Sequence, residues 1–241
     1  MTSVVMVLAL VTGQPKLPEP KNGPQVLVAV PLGMAPGGNG KLTLRGLRLE
    51  SVSAVRLLGS KGTVKLLRKG KVAVPNMQKP EKVGDSELQI DLSLPADLAE
   101  GSVAVEVVTP TGTATHQLLV ARGVITEKEP NDGYRQAQAL TLPARVDGVI
   151  SAPQDVDVFR FTGKAGQKIV AEVLAARHGS PLDGLLTLVD DRGAILASND
   201  DAEGADPKID FTLPRDGVYY LSLIDALDQG GPSFVYRLLV R

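Results

Sequence analysis

Apolar residues in this chain recur at every second position in short runs, and turn residues cut each run off before a helix can form. In Leu88-Gln89-Ile90-Asp91-Leu92-Ser93-Leu94 the alternation is strict, so one face of an extended segment is wholly apolar and the other polar. Comparable runs lie at 26–30, 41–45, 54–58, 63–67, 72–74, 103–108 and 113–120, then at 156–162, 167–174, 185–189, 194–197, 209–213, 218–224 and 234–240. Only Tyr134 to Leu140 reads as a short helix, and no strand–helix–strand alternation occurs, which disfavours an α/β enzyme fold. About seven short strands in each half predict an all-β protein of two β-sandwich domains in tandem.

The division into two is supported by charge and core chemistry. Residues 1–126 hold 14 Lys and Arg against 9 Asp and Glu, whereas residues 127–241 hold 12 against 18. All 4 Phe and all 4 Tyr lie in the second half, leaving the first a core of Val, Leu and Ile. Such coincident breaks are expected of independently built domains. The expected bounds are an N-terminal segment 1–24, a first sandwich 25–122, an acidic linker 123–132 and a second sandwich 133–241. Within the first segment, Ser3 to Val11 is an apolar run ending in Thr12-Gly13-Gln14-Pro15, as in a secretory signal peptide, although no Lys or Arg precedes it. The proline-rich stretch Gln14 to Pro24 reads as a linker. The apolar run is too short for a membrane span, which needs about 20 residues. With no cysteine, neither disulfides nor thiolate chemistry is available.

In the first module, Val30-Pro31-Leu32-Gly33-Met34-Ala35-Pro36-Gly37-Gly38-Asn39-Gly40 leads into the strand Lys41 to Arg45. Its far end is Val107-Val108-Thr109-Pro110-Thr111-Gly112 before a closing strand. These motifs resemble the IPT/TIG branch of immunoglobulin-like domains over residues 25–122. A phosphate loop at Gly37 to Lys41 is disfavoured: Ala35 stands where its first glycine belongs, Leu42 replaces its Ser or Thr, and a β pattern follows.

The segment Glu127-Lys128-Glu129-Pro130-Asn131-Asp132 concentrates oxygen ligands, and extended geometry sends Glu127, Glu129 and Asn131 to one side. Downstream, Asp155-Val156-Asp157-Val158-Phe159-Arg160-Phe161 places two more carboxylates at a strand's entrance. Hard oxygen donors without His or Cys suit calcium, which accepts six to eight such oxygens, rather than zinc. The competing reading is a solvated linker in which Asn131-Asp132 caps the Tyr134 to Leu140 stretch.

The order E-P-N-D, D-x-D-x-F-x-F, Lys164-Ala165-Gly166-Gln167, Leu186 to Asp190, Asn199-Asp200-Asp201 and Asp216-Gly217-Val218-Tyr219-Tyr220-Leu221 resembles the bacterial pre-peptidase C-terminal family over residues 127–241. That resemblance implies a jelly-roll-like sandwich on a secreted bacterial protein, similar to the collagen-binding domain of clostridial collagenases. It also implies calcium ligation by Glu127, Glu129, Asn131, Asp132, Asp155 and Asp157, and because the first four lie on the linker itself, calcium is expected to order the joint between the sandwiches. Of the two Tyr at 219 and 220, period-two geometry buries one and exposes the other.

A second acidic cluster splits into a hairpin turn at Asp190-Asp191-Arg192-Gly193, with Gly193 left-handed, and a loop at Asn199 to Asp206 that is either solvated or a further cation site. His178, Ser180 and Asp183 crowd one turn, too close in sequence to converge from separate elements as catalytic triads do. The basic half has no aromatic residue to stack bases, so nucleic acid is not an expected partner. The reading is therefore a non-enzymatic, extracellular binding or accessory protein whose partner is a protein or polysaccharide. Its alternatives are a structural spacer without ligand and, remotely, a divergent hydrolase.

Overall fold

The computed structural model of the protein describes residues 23–76 and 78–241, so the expected signal segment lies outside the described residues. Every sheet belongs to one half of the chain. In the first half, β1 (Gln25–Val30), β3 (Asn39–Leu47), β5 (Thr63–Lys71) and β6 (Ser86–Ser93) form one sheet in the order β1-β3-β6-β5. The second sheet takes β2 (Gly33–Met34), β4 (Ala54–Leu58), β7 (Gly101–Thr109) and β8 (Gly112–Val120) in the order β2-β8-β7-β4. The chain changes sheets after Val30: β1 runs antiparallel to β3, whereas β2 runs parallel to β8. This is an immunoglobulin-like sandwich, and the strict alternation of β6 sends Leu88, Ile90 and Leu92 into an aliphatic core with Val103, Val105, Val107 and Leu118.

A four-residue helix, α1 (Pro80–Val83), interrupts the first half between β5 and β6, with Pro80 opening it and Gly84 closing it. The strand expected at 72–74 is absent, because β5 instead runs on to Lys71.

The second half pairs β10 (Gln138–Ala139), β12 (Val156–Gly163), β14 (Gly184–Asp190), β15 (Ile195–Asn199) and β17 (Gly217–Asp225) in the order β10-β12-β17-β14-β15. Facing it are β9 (Val124–Thr126), β11 (Ala144–Val149), β13 (Lys168–Leu174), β16 (Lys208–Thr212) and β18 (Val235–Val240), ordered β16-β13-β18-β11-β9. Phe159, Phe161, Tyr219 and Leu221 from one sheet meet Val146, Ile169, Tyr236 and Leu238 from the other. As expected, the two adjacent tyrosines divide: Tyr219 is fully buried, its hydroxyl donating to the Arg215 carbonyl, while Tyr220 is partly exposed. The helix expected at Tyr134 to Leu140 is a turn followed by β10, which runs parallel to β12. Its intended cap, Asn131, is buried, and the side-chain amide donates to Glu127.

The two sandwiches pack directly. Val28 and Leu32 of the first meet Val235 of the second, with Val30, Leu119 and Val149 around them. At Gly179 (φ 84°) the approach is backbone to backbone, since a Cβ there would collide with the Leu27 carbonyl. Glu100 and Arg145 form an ion pair of 3.0 Å across the same boundary. Among the described residues no helix is long and apolar enough to cross a membrane.

Candidate metal centre

The acidic segment is tied by backbone bonds at both ends, and between them the chain bends at Glu129, ahead of a cis Glu129–Pro130 peptide. After β9, Glu127 N–H donates to the Asp147 carbonyl (2.9 Å), and further on Val158 N–H donates to the Asn131 carbonyl (3.0 Å). The segment thus bridges the two sheets at the mouth of the sandwich, from β11 to β12. Glu127, Glu129 and Asn131 do face one another as expected, but the bend at Glu129, not extended geometry, brings them together. Asn131 Nδ2 donates to Glu127 Oε1 (2.8 Å) and its backbone N–H to Glu129 Oε2 (3.0 Å).

The opposite wall follows from strand parity. Asp157 shares a face of β12 with Phe159 and Phe161, so its carboxylate points inward and is fully buried. Asp155 lies just before the strand, where the backbone N–H groups of Ser151 and Val156 hold its two oxygens. Carboxylate oxygens of Glu127, Glu129 and Asp157 lie within 4.8 Å of one another, and so do those of Glu129, Asp132 and Asp155. All six residues expected to ligate a cation therefore gather at one place, with Glu129 common to both triads.

Tyr236 was not legible as a member. It projects inward from β18, its hydroxyl 2.6 Å from Asp157 Oδ2 and 3.1 Å from Glu127 Oε1. Directly opposite on β11 stands Gly148, where any Cβ would run into that hydroxyl and Glu127 Oε2. Val149 N–H holds Glu127 Oε2 at 2.9 Å. A D-x-D-x-F-x-F strand signals the inward carboxylate; no local pattern signals a tyrosine on β18.

Among the described residues, two acceptors at the centre lack any donor: Asn131 Oδ1 and Asp157 Oδ1, both on fully buried residues. An unsatisfied buried polar group costs about 1–3 kcal/mol, more when charged. Burial first, then the hydrogen bond and charge of Glu127, push the Asp157 carboxyl up to about 10. Burial also raises Glu129, aided by the charges of Glu127, Asp155 and Asp132. Burial and the carboxylates of Asp157 and Glu127 drive Tyr236 well above its ordinary value. A set of carboxylates that can ionise together only with help, beside acceptors with nothing to accept, fits a hard cation. Its donor chemistry is oxygen throughout.

The other expected features resolve structurally. Gly193 adopts φ 83° in the turn after β14, and Asp190 caps the turn by accepting from Arg192 and Ala194 N–H. In the 199–206 loop, fully buried Asp206 accepts from the backbone N–H groups of Ala175, Ala176 and Arg177 and from Arg177 Nε, and so belongs to an ion pair. Asn199 Oδ1 accepts from Lys208 N–H. Ser180 Oγ donates to the Ser233 carbonyl and accepts from Leu182 N–H, a structural role beside His178.

Residues 155–224 match the family model of the bacterial pre-peptidase C-terminal domain. A probable subtilase-type serine protease of Deinococcus radiodurans is 44% identical over 98 residues, covering 39% of this chain and 14% of that protein. The chain thus spans a small part of that relative's length. Among solved structures, the pre-peptidase C-terminal domain of a Bacillus anthracis collagenase is 20% identical and covers 48% of this chain and 100% of its own, with a TM-score of 0.37. The secreted serine protease VesC of Vibrio cholerae is 7% identical and covers 87% of this chain and 48% of its own, with a TM-score of 0.32. These structural likenesses carry neither partner nor activity to this chain.

Proposed function

We propose, from a second half that carries a bacterial pre-peptidase C-terminal domain, that the protein is a non-catalytic accessory or binding protein acting outside the bacterial cell. In this reading calcium sits at the mouth of the second sandwich, held by Glu127, Glu129, Asn131, Asp132, Asp155 and Asp157. The observation that carries it is the pair of buried, donorless oxygens, Asn131 Oδ1 and Asp157 Oδ1, amid five carboxylates. A cation would satisfy both oxygens and offset the burial and the neighbouring Glu127 charge that keep Asp157 protonated.

The candidate ligands and the groups that hold them, Val149 and Tyr236, all belong to the second module. The expectation that calcium orders the joint between sandwiches therefore shifts: the ion would act on the fold of the second module, while side-chain packing holds the joint. Calcium at a hundred times its dissociation constant would add about 2.7 kcal/mol to that module.

The test is calorimetric titration of the chelator-treated protein with calcium, repeated for Asp157→Asn and Glu129→Gln. Saturable heat that weakens in both variants is expected. No heat, with identical melting in calcium and chelator, would remove the metal from the account. The packed boundary between the sandwiches favours one second reading, a rigid spacer within an extracellular assembly. That reading holds if no ligand of any class binds either face.

A further inference from the structure

A cleft of about 610 Å³ opens between the two sandwiches and ends on the candidate metal centre. Its floor is the outer face of β9, β11 and β18, where strand register sets Thr126 beside Asp147, Asp147 beside Arg237, and Val149 beside Val235. One wall comes from the first module at the sheet-switching segment, including Val30, Pro31, Leu32 and Met34. Glu127 and Glu129 close one end. Its size is that of a ligand pocket, and an apolar cavity with a few convergent charged groups is where binding is expected.

The lining decides the class of ligand. Its apolar side chains are aliphatic, and its single aromatic residue, Tyr236, is fully buried with its hydroxyl engaged, so no ring face is offered to a sugar. Aliphatic side chains are the complementary occupants. The charge at the closed end is negative. Asp147 neutralises Arg237 through paired bonds of 2.6 and 2.8 Å, so that guanidinium offsets nothing further. Glu127 and Glu129 belong to a group of five carboxylates, and even two divalent cations, one per triad, would leave it net negative.

We propose that this cleft binds a peptide segment of aliphatic and basic residues, with the aliphatic side chains against Val30, Met34 and Val149 and a Lys or Arg directed at Glu127 and Glu129. The proposal rests on the calcium reading for the charge remaining at the closed end. Neither sandwich alone forms the site, so the packing between modules becomes part of recognition.

The test uses the full chain and three short, end-blocked, dye-labelled peptides: alternating Val and Lys, alternating Val and Glu, and alternating Ser and Lys. Anisotropy is measured at physiological salt with calcium. The Val/Lys peptide should bind at least tenfold more tightly than either control. Thr126→Arg, an exposed floor position, should weaken it about tenfold while leaving thermal melting unchanged, and Met34→Lys on the wall, whose side chain also packs on the first core, should weaken it about tenfold when measured below that variant's own melting transition. Equal affinity for the Val/Lys and Val/Glu peptides, undiminished binding by both variants, no binding, or oligosaccharide binding that the two variants abolish would each overturn the proposal. Calcium titration separates the two readings. Calcium heat without peptide preference sinks the cleft alone, and peptide preference without calcium heat sinks the metal and leaves the cleft.

Discussion

Asp157 concentrates the chemistry of the centre in one carboxyl. Its folded pKa is raised to about 10, above the ordinary 3.8, so without metal the folded state holds a proton that the unfolded chain releases. Its contribution to stability is therefore present below the unfolded value and lost as pH rises toward the folded one. In chelator the second module should melt higher near about pH 5 than near about pH 8, and Asp157→Asn should flatten that slope. The same variant should weaken calcium by about tenfold or more, about 1.4 kcal/mol, since the charge that would face the ion is gone. Parallel slopes in the two proteins would contradict the assignment. His116 behaves oppositely. It occupies an inward position of β8 at the edge of the first core, its Nε2 without a partner among the described residues. Burial, then the charge of His178, hold it down to about 4, below the ordinary 6.5. Stability is complete above the unfolded value and falls as pH drops toward the folded one, by on the order of 3 kcal/mol in total. His116→Gln should make acid melting of the first module shallower, as read by melts across that interval.

At the scale of elements, β18 is the strand on which the second sandwich depends. It pairs with β13 on one side and β11 on the other, and its inward residues reach both the core and the acidic centre. Its outward face carries Arg237, only 3% exposed and paired fork to fork with Asp147 across β11. Removing one member of a buried pair strands the other, at a cost of about 3–5 kcal/mol, whereas replacing both by apolar groups is often neutral. Arg237→Met should therefore lower stability by about that amount, and Arg237→Met with Asp147→Val should recover most of it, as measured by urea unfolding. If the double variant is no more stable than the single, the pair is not what holds this face. β9 shows how a short edge strand is secured: the Gln138 side chain accepts from Lys128 N–H and donates to the Thr126 carbonyl, standing in for a strand.

For the whole molecule, the boundary between sandwiches is a small apolar core of its own. Leu32 is 1% exposed within it, and truncating a buried leucine costs about 2–5 kcal/mol. Leu32→Ala should loosen the joint, raising amide exchange around residues 30–35 and 233–236 while leaving calcium affinity unchanged. A matching loss of calcium affinity would mean that the joint and the centre are one unit. Because the centre lies within the second module, calcium should raise that module's melting temperature without altering the small-angle scattering profile. A profile that changes with chelation would restore the metal to the joint.

The sequence by itself determined what alternation and composition encode locally. Period-two patterning specified an all-β chain and set Asp157 on one strand face with Phe159 and Phe161, whereas Glu127, Glu129 and Asn131 meet around a bend that the alternation does not encode. Short or weakly patterned pieces were not legible: β2, β9 and β10 span only a few residues, and β11 is broken by Gly148. The helix expected at Tyr134 to Leu140 failed because the residue that would have capped it is committed to Glu127. Only the tertiary structure could decide that Tyr236, 109 residues from Glu127, donates into the same centre, that Gly148 leaves room for it, and that a cleft opens between the sandwiches. The physical reason is range. A strand's own side chains state which face is buried, but what stands opposite that face depends on register and packing between segments far apart in the chain.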